Sequence, residues 1–349
     1  MKYSFANDYS EGCAAKVLDA LIESNAVQTC GYGLDGYCEE ARKTIQKLIK
    51  CEEADVHFLV GGTQTNLTVI AAALRPYEAV IAVDSGHIHV HETGAIEASG
   101  HKVIAVKGND GKLEVEAVKS VLDVHIDEHM VKPKMLYISN ATEIGTIYKK
   151  AELQALRQFC DQNDLYLFLD GARLGCALNA EGNDLCFADL AALCDVFYIG
   201  GTKNGALFGE AVVIVNEALK ADFRYMIKQR GGMLAKGRLL GVQFLTLLKD
   251  GLYAELAKHA NETAQHLQKG MKELGCQLLL ESPTNQVFAA LSHEEAKRLS
   301  QNYTFNHWEK IDACCDYYRF VTSWATPIEA VDGLLEELKR IKEEIACGL

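Results

Sequence analysis

Three apolar runs of this chain end in residues that can do chemistry. In LYLFLDGARLG, Asp170 closes a run whose only other polar side chain is a tyrosine, and a carboxylate there is costly unless it meets a cation or a donor. In VFYIGGTKNGALFG, Lys203 follows Gly200, Gly201 and Thr202; a lysine at such a spot, in the same sheet as Asp170, is poorly explained as a solvated surface residue. In FLVGGTQTNL, Gly61 and Gly62 lead from a strand into a helix that starts near Thr63, which aims free amides and a positive helix end at an anion. His87, His89 and His91 alternate in DSGHIHVHETGA with Glu92 beside them. That spacing admits metal ligation, but lone histidines are more often packed or stacked, and no metal is expected. One reaction class needs an anion cradle, a buried carboxylate and a lysine at the top of one sheet, and it is pyridoxal phosphate chemistry. The lysine forms a Schiff base with the aldehyde, the carboxylate keeps the ring nitrogen protonated, and the cradle binds the phosphate.

The elements that must position these residues follow from hydrophobic patterning. Short apolar runs alternate with helical patterns from about Asp55 to Val215, the signature of a mostly parallel sheet covered on both faces. Strands are expected at 56–60, 79–83, 102–106, 134–139, 165–170, 196–200 and 211–215, with helices at 65–74, 114–122, 150–163 and 187–193. An earlier helix spans Glu39 to Lys50, with Ile45, Leu48 and Ile49 on one face. After about Asp250 the pattern changes to a long amphipathic helix (252–274), short strands near 277–280, 286–291 and 317–321, and a final helix from Pro327 toward Glu344. The expected organisation is an N-terminal arm (1–20), a large α/β domain with a seven-stranded sheet (21–250) and a smaller α+β domain (251–349). Ligands bind beyond the carboxyl ends of such a sheet.

Composition narrows the partners. With 35 Lys and Arg against 48 Asp and Glu, the net charge of −13 repels nucleic acid and anionic lipid. The N-terminus MKYSFANDYSEGC has neither a basic nor an apolar leader segment, no apolar run approaches the length of a membrane span, and a cytoplasmic protein is expected. The 12 cysteines are scattered and contain no CxxC pair, so buried reduced thiols are expected rather than disulfides or a zinc module.

At the residues above, the chain resembles the fold type I pyridoxal-phosphate enzymes, and among them the low-specificity L-threonine aldolases and phenylserine aldolases of the β-eliminating lyase group. The resemblance runs through FANDYSEG, QTCGYGLDGYCEEA, GGTQTN, HIHVHETGA, HMVKPKMLYISNATEIGTIY, FLDGARLG, GGTKNGALFGEAVV and YYRFVTSWAT. It implies that Lys203 is the Schiff-base lysine, Asp170 the partner of the ring nitrogen and His87 the residue stacked on the ring. It also implies that Gly62 and Thr63, with Gln64, form the phosphate turn, and that Arg173 and Arg319 lie near the substrate carboxylate. Asn7 stands where many members carry serine, and an amide still binds a carboxylate. His129 matches the histidine near the substrate hydroxyl, with His125 as the alternative. Tyr32 belongs to a loop that reaches a neighbouring subunit's site, which implies a homodimer or homotetramer with shared sites. Lys236 is implied near the cofactor phosphate.

The activity so implied is cleavage of L-threonine, L-allo-threonine or another β-hydroxy-α-amino acid to glycine and an aldehyde. Elimination or aminotransfer on the same cofactor is the alternative, because the choice lies in which Cα bond is held perpendicular to the ring. A dinucleotide-binding oxidoreductase is a more distant one, since GGTQTN is not GxGxxG, and a silent binding protein of the same fold would not need both Lys203 and Asp170.

Overall fold

A computed structural model describes residues 2–348. Its central sheet contains β1 (Asp55–Leu59), β2 (Glu78–Val83), β3 (Lys102–Val106), β4 (Lys132–Ser139), β5 (Tyr166–Asp170), β6 (Val196–Gly200) and β7 (Glu210–Ile214). The order across the seven strands is β1-β7-β6-β5-β4-β2-β3. All neighbours from β6 to β3 run parallel, and β7 runs antiparallel to both β6 and β1. The segment 201–209 between β6 and β7 is shorter than the roughly dozen residues a parallel crossover needs, so the chain turns back on itself there. That reversal puts the first residue of β7, Glu210, at the same edge as the last residues of the parallel strands.

Every residue of β2, β6 and β7 is buried, as expected of strands covered on both faces. The covering helices include α1 (Ala15–Ser24), α2 (Gly36–Ile49), α3 (Gly62–Ala73), the single turn α4 (His87–Val90), α5 (Lys150–Asn163) and α6 (Arg238–Leu248). Asp35 caps α2 by accepting from the Cys38 amide at 2.9 Å, a contribution of about 1 kcal/mol. Helix α6 had no counterpart in the sequence reading. It carries buried residues on most of its circumference and packs on α2, and a helix apolar all round has no amphipathic period to detect.

Beyond α6, α7 (Leu252–Glu273) and α8 (Ile328–Ala346) cover a three-stranded antiparallel sheet of β8 (Gln286–Ser292), β9 (Asn306–Lys310) and β10 (Cys315–Val321), ordered β9-β10-β8. The strand expected near 277–280 is reduced to an isolated bridge between Leu278 and Ala289. The N-terminal residues join this second core: Tyr3 and Ser4 pair with Tyr303 and Thr304, and Phe5 is fully buried among Leu267, Met271, Val287 and Phe320. Residues 6–12 then cross to the large sheet, and α1 begins within the stretch expected to be a simple arm. No helix among the described residues is long and apolar enough to cross a membrane.

Candidate active site

A cleft opens at the carboxyl edge of the central sheet, lined by Gly62 and Thr63 at the start of α3, His87 of α4, Asp170 of β5, Lys203 and Glu210. Each strand places its residue for a local reason. Gly171 follows Asp170 because a Cβ there would lie 1.8 Å from the Tyr198 carbonyl oxygen, so only glycine lets β5 and β6 approach closely as the DGAR turn leaves the sheet. The first-turn amides of α3 have no intrahelical acceptor, and Gly62 and Thr63 bring them to the cleft.

Asp170 is 4% exposed. Its Oδ1 accepts from the Ala172 amide at 3.0 Å; its Oδ2 accepts from Asn66 Nδ2 at 3.1 Å and from the Tyr137 hydroxyl. Burial alone would raise its pKa, but His87 and the phenols of Tyr137 and Tyr198 outweigh it and hold the carboxyl below the usual carboxylate range. Burial pushes both phenols well above their ordinary range, so they remain donors. Asn66 also donates to Glu92 Oε1 at 2.7 Å, and the same oxygen meets His87 Nδ1 at 2.8 Å. A carboxylate acceptor on Nδ1 fixes the imidazole orientation and places the free nitrogen, Nε2, away from Glu92. Glu143 closes the network: its Oε1 accepts from the Ser139 hydroxyl at 2.7 Å and the His87 amide at 3.0 Å, while its buried Oε2 has no partner.

A second cluster lies where the N-terminal segment, the DGAR turn and the smaller sheet meet. Arg173 Nε and Nη2 donate to Asp8 Oδ2 and Oδ1 at 2.7 and 3.1 Å, and Asn285 Nδ2 donates to Asp8 Oδ2 at 2.9 Å. Burial would raise the Asp8 pKa, but Arg173 and Lys203 beside it hold it below the usual carboxylate range. Arg319 of β10 lies 5.5 Å from the Trp308 ring centroid, and its buried Nε has no partner. Burial and the charge of Arg173 lower its pKa. Arg173 is thus paired with Asp8 while Arg319, within electrostatic reach of both, has no carboxylate of its own, an excess of positive charge suited to an anion such as a substrate carboxylate. Lys203 adjoins both clusters. Burial and Arg173 lower the pKa of its amino group, against the pull of Asp8, Asp170 and Glu210, which favours the neutral nucleophilic form.

Some residues expected in the site lie elsewhere in this chain. Gln64 turns away from the cleft, accepting from the Val60 amide at 3.4 Å and donating to the Arg230 carbonyl at 3.2 Å; it braces the turn. Asn7 Oδ1 accepts from the Tyr9 amide and the Ser10 hydroxyl at 2.9 and 3.0 Å, so it orders the segment beside Asp8. Tyr32 and Lys236 are exposed, with the Tyr32 amide donating to the Ala235 carbonyl at 3.2 Å, and neither lines the cleft. His129 is exposed in the loop that enters β4. The 8 residues of β4 run about 25 Å, at roughly 3.3 Å each, before Ser139 pairs with Asp170. A loop that enters a parallel strand lies at the edge opposite the site, which also holds His125, whose Nδ1 meets the Val121 carbonyl at 2.8 Å. Glu92, read in the sequence only as a neighbour of the histidines, holds the His87 ring. Asp8, Asn66, Tyr137, Glu143 and Glu210 carry no expected role in the sequence; Asn66 had a signal, standing one helical turn after Gly62, whereas the others are brought in by strands and loops distant in sequence.

The strand order, together with a lysine, a strand-end aspartate and a helix N-terminus at one edge, defines a fold type I pyridoxal-phosphate enzyme. A Thermus thermophilus aspartate aminotransferase has the same fold at a TM-score of 0.71 and 18% identity, over 97% of this chain and 91% of that one. The beta-eliminating lyase family model matches residues 6–294, and the chain belongs to that family. Low specificity L-threonine aldolases from Pseudomonas aeruginosa and from another Pseudomonas are 30% and 31% identical over 97% of both chains. The structure of a Leishmania major threonine aldolase is 48% identical with a TM-score of 0.96, over 97% of this chain and 99% of that one. The cofactor of this fold and family, pyridoxal phosphate, fits the residues present: Lys203 for its aldehyde, Asp170 for its ring nitrogen, His87 for its ring face, and Gly62 and Thr63 for its phosphate.

Proposed function

We propose that this protein is a pyridoxal-phosphate-dependent aldolase that cleaves L-threonine, L-allo-threonine or a related β-hydroxy-α-amino acid to glycine and an aldehyde. The observation that carries the reading is the cleft that Lys203, Asp170 and the first turn of α3 line together, with Arg173, held by Asp8, and Arg319 within electrostatic reach of one another beside it. The threonine aldolases among its relatives favour aldol cleavage over elimination or aminotransfer. Pyridoxal phosphate, which Lys203 would hold, would supply an electron sink for the bond broken at Cα of the substrate.

The chain's own residues do the rest. Asp170 holds a proton at the ring nitrogen by its charge, and Asn66 and Tyr137 hold Asp170. Arg173, aimed by Asp8, and Arg319 bind the substrate carboxylate, which sets the Cα–Cβ bond perpendicular to the ring plane. His87, oriented by Glu92, stacks on the ring. The β-hydroxyl proton goes to His129 of a second copy. Support for sharing comes from exposure: Val124, Ile126 and Met130 flank His125 and His129 with apolar side chains facing solvent, and Tyr32 is accompanied by exposed Leu34 and Tyr225. Lone exposed apolar residues are ordinary, but clustered ones mark contact surfaces. The same contact brings Tyr32 and Lys236 to a neighbour's cleft, and the assembly, a homodimer or homotetramer, works in the cytoplasm.

Purified protein should show the long-wavelength band of a lysine-bound cofactor and release equal amounts of glycine and acetaldehyde from L-threonine. A coloured protein that yields ammonia and a 2-oxo acid instead would make it an eliminating lyase.

A further inference from the structure

None of these steps uses Glu210. It opens β7 opposite Gly200, is 3% exposed, and lines the cleft with Lys203. Its Oε2 accepts from the Gly201 amide at 3.2 Å and its Oε1 from the Thr202 hydroxyl at 3.1 Å, while Thr202 Oγ1 accepts from the Gly209 amide at 2.9 Å. Both legs of the carboxyl group therefore rest on the two residues that precede Lys203. The titratable side chains around Glu210 are Lys203, Asp170, Tyr198 and Tyr253; Lys203 also faces Arg173 and Asp8.

Burial pushes the Glu210 carboxyl up to about 8, although Lys203 and Thr202 pull it down. Burial and Arg173 move the Lys203 amine in the opposite direction. An acid and an amine driven toward a common range titrate as a pair, not as separate groups. A carboxyl group beside a phosphate cradle would also repel the phosphate unless it spends part of its time protonated.

We propose that Glu210 is a positioning residue for Lys203, holding the lysine-bearing turn through Gly201 and Thr202, with the protonation of its carboxyl group linked to the charge on the lysine nitrogen. Each group exchanges its proton with solvent, so no co-reactant is required. The inference rests on Lys203 being the cofactor-bearing amine.

The test is an absorbance titration of the cofactor–lysine band in the holoenzyme, with borohydride trapping on the Lys203 peptide to count attached cofactor. Wild type should titrate in two linked steps. Glu210→Gln, folded by its circular dichroism and fully loaded, should titrate in one step, its midpoint lowered by about one pH unit, a tenfold loss of proton affinity at the linkage. Glu210→Asp, which keeps the charge, should regain the second step. A Glu210→Gln curve that superimposes on wild type overturns the proposal. If that variant does not fold, a single-step wild-type curve overturns it equally. A wild-type protein with no trapped cofactor instead overturns the reading of Lys203 itself.

Discussion

Two arginine–aspartate pairs with buried carboxylates stand at opposite ends of the central sheet, and they are built differently. At the amino ends of β5 and β6, Arg157 Nη1 meets Asp195 Oδ2 at 2.7 Å; the same oxygen accepts from the Leu167 amide at 2.6 Å, and Oδ1 accepts from Asn216 at 2.6 Å. Both carboxylate oxygens are engaged by groups of the chain, and Arg157 meets a second anion, Asp161, through Nη2 at 2.8 Å, while its Nε has no partner. At the carboxyl edge, Arg173 pairs with Asp8, Arg319 adds a second positive charge within electrostatic reach, and Arg319 Nε, Glu143 Oε2, Glu92 Oε2 and Asn66 Oδ1 are buried without partners. A carboxylate whose two oxygens are both engaged by the chain locks structure. A network with surplus charge and open hydrogen-bonding positions is one that a ligand completes, since unpaired buried polar groups are costly.

The largest change should come from Lys203→Ala, which removes the covalent attachment point from the open network. Turnover and borohydride trapping should both disappear, with the thermal midpoint close to wild type. Glycine production near the wild-type rate would show that Lys203 only fills space.

His129→Ala tests whether the far edge of one sheet serves the near edge of another. Cleavage should slow roughly 10²-fold, the low end for a positioned base, while α-proton exchange of glycine persists. Hybrids of His129→Ala with Lys203→Ala chains should regain activity, because one cleft then has both groups. Inactive hybrids would mean that His129 serves the cleft of its own chain, and undiminished cleavage by His129→Ala itself would leave the base to His87 or Glu143. His125→Ala should have no effect in the same assay.

Asp170→Asn should lower turnover roughly 10²-fold, since a hydrogen bond to a charged group contributes about 1.5–3 kcal/mol and each 1.4 kcal/mol is tenfold in rate. The absorbance band should remain. Unchanged turnover would reduce Asp170 to a satisfied strand end.

The smallest effect on chemistry, and the sharpest contrast, should separate Asp8→Ala from Asp195→Ala. Asp8→Ala removes the ion-pair partner of Arg173 and should cost about 3–5 kcal/mol of stability, whereas Asp195→Ala leaves Arg157 paired with Asp161 and should cost less. Asp8→Ala alone should also raise KM for threonine, roughly tenfold, because Arg173 loses its aim. The pairs should part again in acid. The folded-state pKa of Asp8 lies below its unfolded value, so its stabilisation is complete above the ordinary carboxylate range, near ~4, and is lost as pH falls through the lowered value. Thermal midpoints between pH 5 and 3 should therefore fall less steeply in Asp8→Asn than in wild type. Equal KM values in the two alanine variants would erase the distinction between the ends.

The strand ends were the legible part of the site. Asp170 and Lys203 interrupt apolar runs, and Gly62 and Thr63 join a strand to a helix, so local pattern located them. His129 shows the opposite case. Its resemblance to a family histidine was local, but its place depends on which end of β4 faces the cleft. Glu210 was invisible because an acid before AVVIV reads as a flank until the reversal of β7 turns it inward.

What the sequence by itself determined is the set of residues whose burial would be costly without a partner, together with the strands and helices that end at them, because hydrophobic period and turn chemistry act over a few neighbouring residues. Tertiary structure decided which of them meet. The β6–β7 turn sets Glu210 against the turn that carries Lys203; Phe5, buried in the smaller core, draws Asp8 across to Arg173; and β10 brings Arg319 from beyond residue 300 within electrostatic reach of both. Strand direction and pairing are set by non-local hydrogen bonds and by the fit of two cores, and no window of adjacent residues contains them.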